Sequence, residues 1–116
     1  MPHFLLALYD APEEFAQVSP EEMQRIIEKY RAWSTRLRES GLLVSSNKLK
    51  DEPGRVLRKK DGRTRVVDGP YSETKEVLGG YFLIEARDYD HAVELSQDCP
   101  HLDFNGTIEL REVDPV

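Results

Sequence analysis

Cysteine is almost missing from this chain. Cys99 stands alone among 116 residues. No internal disulfide can form, and a reducing cytoplasm is the expected setting. Long apolar runs are missing as well. The longest, residues 4–9, falls far short of the roughly 20 residues a membrane-spanning helix needs. No basic stretch or small-residue cleavage site precedes it, so no secretory leader and no membrane partner are expected. Metal-ligand spacing is absent too: Cys99 and His101 are two ligands where zinc takes three or four. There is no Gly-x-Gly-x-x-Gly, no phosphate loop and no Gly-x-Ser-x-Gly elbow. The expectation is therefore neither metal nor organic cofactor. A general excess of cations is also lacking. The net charge of −6 disfavours a nucleic-acid partner.

What is present suits one small globular domain over residues 1–116, with 39% hydrophobic and 33% charged residues. The charge is unevenly spread. Arg55, Arg58, Lys59, Lys60, Arg63 and Arg65 stand against Asp61 alone, so residues 55–65 carry +5 and the remainder of a −6 chain carries −11. A basic tongue on an acidic body is either a solvated hairpin whose charges prevent edge pairing or a site for an anion or partner.

Residues 3–9 read as a first strand, apolar on both faces. After a polar loop containing Asp10, Pro12, Glu13 and Glu14, Ser19-Pro20-Glu21-Glu22 carries a helix cap, a proline at the first helical position and a capping box. Met23, Ile26, Ile27, Tyr30, Trp33 and Leu37 then recur at helical spacing, and Gly41 supplies the stop. Residues 42–49 read as a second strand. Residues 55–60 and 63–68 flank Asp61-Gly62, a two-residue hairpin turn that sets Leu57 opposite Val66 and Val56 opposite Val67. A strand over 77–86 contains Gly79-Gly80, marking a bulge or a close backbone approach. Asp88 caps a short helix over 89–97 with Tyr89, Ala92, Val93 and Ser96 inward, and 106–113 forms the last strand, with Ile108, Leu110 and Glu112 on one face.

The order β-α-β-(hairpin)-β-α-β, with right-handed crossovers, predicts an α+β ferredoxin-like split βαβ sandwich: four antiparallel strands, two helices on one face and an inserted hairpin. The strands at 3–9 and 81–84 are apolar on the face the helices leave bare. A second copy, sheet against sheet, is the expected cover, with a cleft where the sheets meet. The competing cover is the chain's own basic hairpin.

The most distinctive stretch is 66–84, with Asp68-Gly69-Pro70-Tyr71, then Glu73-Thr74-Lys75-Glu76, then Gly79-Gly80-Tyr81. It resembles the hallmark of the DGPF-type members of the YCII-related family, with Tyr71 where phenylalanine is usual. Tyr9-Asp10, Ser19-Pro20-Glu21-Glu22 and Cys99-Pro100-His101 fit the same pattern, so the resemblance covers essentially the whole chain. It implies a dimeric α+β barrel, bacterial and cytoplasmic, in a family most of whose members have no assigned activity. Some relatives in the wider group are lyases on muconate-type ring-cleavage products, with a proposed His–Asp pair. The helix at 20–39 contains no histidine, so a relative with its catalytic histidine there finds no counterpart here. The family's frequent neighbourhood with sigma-factor genes implies a regulatory setting.

In physical terms, Asp68 can close an Asx-turn, Gly69 gives freedom and Pro70 locks φ, making a rigid elbow. On that reading Asp68 is a turn-former, and Glu73, Lys75 and Glu76 face water. On the functional reading Asp68 is a general base at the rim of the cleft and His101 shuttles the proton. Lys75 or Arg65 then holds a carboxylate, with Tyr71 and Glu73 as further ligand contacts. Turn aspartates far outnumber catalytic ones, and a loop histidine is more often bonded to backbone. His3 and His91 read as exposed or packing residues, and Cys99 as a small buried one. Two functions remain open: a dimeric protein binding a small anionic ligand near the Asp68–Tyr71 loop, and a lyase or isomerase acting on a carboxylate-bearing molecule through Asp68 and His101.

Overall fold

The computed structural model describes residues 1–11, 18–69, 76–104 and 106–115. Strand β1 (His3–Asp10) leads to helix α1 (Pro20–Glu39) and β2 (Leu43–Lys48). Then come the hairpin strands β3 (Arg55–Lys60) and β4 (Arg63–Asp68), and β5 (Val77–Glu85). Helix α2 (Tyr89–Ser96), a short 3-10 helix (Pro100–Phe104) and β6 (Thr107–Glu112) complete the order. The main sheet runs β2-β5-β1-β6 with every neighbouring pair antiparallel. Each helix thus carries the chain past one intervening strand, which is the split βαβ topology of an α+β ferredoxin-like fold.

Local chemistry sets the ends of α1. The Ser19 hydroxyl accepts the Glu22 amide at 3.2 Å, with Pro20 beginning the helix. At the other end Gly41 takes φ +75°, and Leu42 N–H and Gly41 N–H donate to the carbonyls of Leu37 and Arg38. This is the Schellman arrangement that glycine alone adopts cheaply. Asp88 caps α2 through the His91 amide at 2.8 Å.

The core lies between the helices and one sheet face. Phe4, Leu6 and Leu8 from β1 and Phe82 and Ile84 from β5 meet Trp33 and Leu37 of α1, Ala92 of α2, and Cys99. The Trp33 and Phe82 rings meet edge to face at 4.8 Å, worth about 1 kcal/mol beyond simple burial. The Trp33 indole N–H donates to the Leu95 carbonyl at 3.3 Å and ties α1 to α2. Gly79 is the extra residue of a bulge: β5 steps from Gly80 to Leu78 where β1 steps from Leu8 to Tyr9. At Gly80 a Cβ would stand 2.9 Å from the Asn47 carbonyl oxygen, so β2 can approach only a glycine there.

Several inward placements expected from spacing do not hold. Ile27 is exposed, and so are Tyr89 and Val93 on α2. Helix α2 is only eight residues long, and its narrow buried stripe is filled by Ala92 and Ser96. The Tyr89 ring instead lies edge-on to Phe4 at 4.9 Å and its hydroxyl accepts the Glu112 amide. Glu112 does share the face of Ile108 and Leu110, and is exposed at the end of the last strand. The segment before β6, expected as loop, is a turn of 3-10 helix.

The hairpin forms a second, two-stranded sheet. Asp61 and Gly62 both take positive φ, +53° and +76°, the pairing of a type I′ turn. Leu57 faces Val66 and Val56 faces Val67. The hairpin strands pair with each other and not with the main sheet, and Leu57, Val66 and Val67 remain exposed. The hairpin is thus a projecting arm rather than a cover for its own sheet.

Candidate functional site

On β1 the helix-facing series Phe4, Leu6, Leu8 continues into Asp10. An apolar series that ends in a carboxylate puts the acid where the sandwich core gives out. Asp10 pairs with Val77, the first residue of the strand that follows the Asp68–Tyr71 loop. A Cβ on Gly79 would stand 2.9 Å from Asp10 Oδ2. The bare bulge residue is what lets the carboxylate lie down against β5. Burial raises the Asp10 pKa above its usual 3.8, Asp51 adds to the rise, and the positive charge of His101 and Lys48 opposes it.

His101 is 3% exposed. Its Nε2 lies 2.7 Å from the Tyr9 carbonyl oxygen and its Nδ1 lies 2.7 Å from the Tyr30 hydroxyl. A carbonyl only accepts, so Nε2 carries the hydrogen and donates it. In the neutral ring Nδ1 then accepts the Tyr30 O–H. The Tyr30 pKa is pushed up by burial, with Cys99, Asp10 and Asp103 adding to the rise. Gly106 presses on the other side of the ring: a Cβ there would collide with His101 Cδ2, Nε2 and carbonyl oxygen. The strand end, the long helix and the 3-10 turn are thus pinned together by one imidazole. Thr107 donates to Glu76 Oε1 at 3.1 Å, joining the exit of the 70–75 loop to the start of β6 at this same end.

Asp68 lies elsewhere in the bonding pattern. It ends β4, is exposed, and its carboxylate pairs with Arg55 across the arm at 3.3 Å. Asp68 and His101 make no hydrogen bond or ion pair with each other. Gly69 is required by crowding, since a Cβ would stand 2.5 Å from the Pro53 carbonyl oxygen, and its φ is not positive. The Gly69 amide donates to the Gly54 carbonyl at 3.2 Å, closing the root of the arm. Arg65 is exposed on β4, directly opposite Arg58. Pro70, Tyr71, Glu73 and Lys75, like Pro12, Glu13 and Glu14 of the earlier loop, lie outside the described residues.

Sequence reasoning placed Asp10 in the loop after the first strand, whereas it is the last residue of β1. It read Tyr30 as core, where it does pack, half-buried, while its hydroxyl bonds His101. One signal was available: Asp10 has the parity of Phe4, Leu6 and Leu8, an acid in an apolar register. Among the described residues no group of three or more His, Cys, Asp or Glu side chains is placed to hold a metal ion. No described helix is long and apolar enough to cross a membrane.

A two-layer α+β sandwich of split βαβ topology, with a polar cluster at the open end of its core, defines the structural class. Within it, the chain belongs to the YCII-related domain family, whose model matches residues 2–116. It is also 33% identical over 95 residues to an uncharacterised protein of Rhizobium meliloti (strain 1021), a match covering 80% of this chain and 77% of that relative.

Proposed function

We propose that this protein is a small cytoplasmic homodimer that binds a small carboxylate-bearing molecule at the end of the sandwich formed by Asp10, Tyr30 and His101, beside the Asp68–Tyr71 loop. The observation that carries this reading is Asp10. It is an acid held above its ordinary pKa by burial, at the end of the apolar series Phe4, Leu6 and Leu8, with a glycine bulge making room for it. Desolvated, unbalanced carboxyls concentrate at functional sites. A carboxyl poised toward its protonated form can donate a hydrogen bond to an anionic ligand, and Lys48 brings a positive charge within electrostatic reach of the same carboxyl. Glu76 and Val77, which follow Tyr71 and Lys75 in the sequence, stand at this end of the sheet.

The dimer reading draws on the sheet face opposite the helices. Leu5, Ala7, Tyr9, Tyr81 and Leu83 alternate with the core residues there; Ala7 is buried and the other four are half-buried. Cytoplasmic residence draws on the single thiol of Cys99, which is buried and unpaired. A lyase or isomerase built on an Asp68–His101 pair draws less from the structure, because both nitrogens of His101 are already bonded to Tyr9 and Tyr30.

The test is native mass spectrometry of the purified protein, followed by amide-resonance titration with a panel of mono- and dicarboxylates. The expected result is a dimer whose Asp10, Gly79 and Gly106 resonances move together on binding, an Asp10→Ala variant that no longer responds, and an Asp10→Asn variant that still does, since its amide donates in place of the protonated carboxyl. Binding that moves other residues and spares these three would overturn the site. A panel that moves nothing, in a protein carrying no co-purified molecule, would overturn the function.

A further inference from the structure

The β3–β4 arm has no reason to be folded in isolation. A lone two-stranded hairpin is marginal in water, and this one keeps Leu57, Val66 and Val67 more than half exposed. Its register makes matters worse. Directly paired residues share a face, so Arg58 opposes Arg65 and Lys60 opposes Arg63 on the same side as Val56 and Val67. Like charges set opposite one another destabilise a sheet. Lys59, Lys60, Arg63 and Arg65 form no ion pair among the described residues. The arm also stretches the molecule. The radius of gyration is 16.1 Å, against about 13 Å for a compact chain of this length.

A matching surface exists on the same chain. Residues 85–103 hold Glu85, Asp88, Asp90, Glu94, Asp98 and Asp103 against Arg87 alone, a net −5 to set against the +5 of residues 55–65. Asp90, Glu94 and Asp98 recur every fourth residue along α2 and just beyond it, where they share one side. All three are exposed, with Tyr89 and Val93 exposed on the same helix. One surface is cationic with two valines, and the other is acidic with a tyrosine and a valine.

We propose that the arm of one copy docks through its cationic face on the acidic α2 surface of a second copy. The exchange is reciprocal, as two-fold symmetry requires. It rests on the dimer reading in needing a second copy, and it names which segments meet. An arm face of about 20 by 10 Å, engaged twice, supplies roughly half of a standard interface.

Two variants test it by sedimentation velocity: Arg63→Glu with Arg65→Glu on the arm, and Asp90→Lys with Glu94→Lys on α2. All four positions are exposed, and circular dichroism checks that each variant folds. Each variant alone should dimerise about tenfold more weakly than wild type or worse, because reversing two charges removes most of the charge complementarity between its arm and α2. Mixed together they should recover wild-type association as a heterodimer, since the reversed arm residues then meet the reversed α2 residues and the unchanged arm meets the unchanged α2. Variants that self-associate like wild type would overturn the docked arm while leaving the dimer standing. Weakened variants that do not recover on mixing would overturn α2 as the receiver. A monomeric wild type would overturn both readings, and a monomer that holds a DNA duplex through these arginines would give the arm a different occupant.

Discussion

Tyr30 and His101 lie 71 positions apart in the chain, and their side chains are joined by a 2.7 Å hydrogen bond. The other ring nitrogen of His101 holds the Tyr9 carbonyl. One buried imidazole therefore joins α1, the end of β1 and the turn that feeds β6. The site beside Asp10 is only as rigid as that contact.

Gly106→Ala should loosen it. The new methyl would overlap the His101 ring and carbonyl, and overpacking of this kind costs about 1–3 kcal/mol. Urea denaturation should show a lower midpoint, and the amide of Gly106, which donates to the His101 carbonyl at 3.1 Å, should lose hydrogen-exchange protection. Gly54→Ala provides the contrast. Gly54 has φ +66° and nothing within reach of a Cβ, so it should cost only backbone strain, about 1 kcal/mol.

Asp10→Asn should stabilise the protein at neutral pH. The folded state holds this carboxyl above its unfolded value, so its charged form opposes folding. The contribution of Asp10 to stability is fully present below about pH 3.8 and lost as pH rises through the folded pKa. The variant's advantage in thermal midpoint should therefore be largest near pH 7 and vanish as pH falls through that window. Parallel melting curves of the two proteins across that range check the sign. A gain in stability in Asp10→Asn, with ligand response kept there and lost in Asp10→Ala, would mark Asp10 as a residue kept for its hydrogen bond to the ligand.

Cys99 should be inert in the native protein. It is 1% exposed, and burial is the main reason its thiol is pushed up to about 11, so little thiolate is present at pH 8. Alkylation by iodoacetamide at that pH should be slow, should quicken in denaturant, and should track global opening as denaturant is added. Fast native labelling would mean that the 3-10 turn opens locally.

The amino-acid sequence alone determined what is local. The Ser19 and Asp88 caps, the Gly41 stop, the Asp61-Gly62 turn and the Val56–Val67 and Leu57–Val66 pairs are decided by neighbours a few residues away, and each has a signature of its own. The order of elements, with the handedness of crossovers, then leaves little choice of topology for the main sheet. The hallmark stretch around Asp68 was legible as a motif, yet its physical meaning was not. Gly69 reads as a turn glycine, but it is there because the Pro53 carbonyl passes too close for a side chain, and Asp68 bonds Arg55 across the arm. Apart from the parity of Asp10 with Phe4, Leu6 and Leu8, the site around Asp10 was decided by tertiary structure. His101 meets Tyr9 and Tyr30 across 92 and 71 residues, and no periodicity or spacing encodes a contact between a strand end, a helix stripe and a turn. Such contacts form only when the sheet and helices have already packed, because packing determines which side chains share the open end of the core.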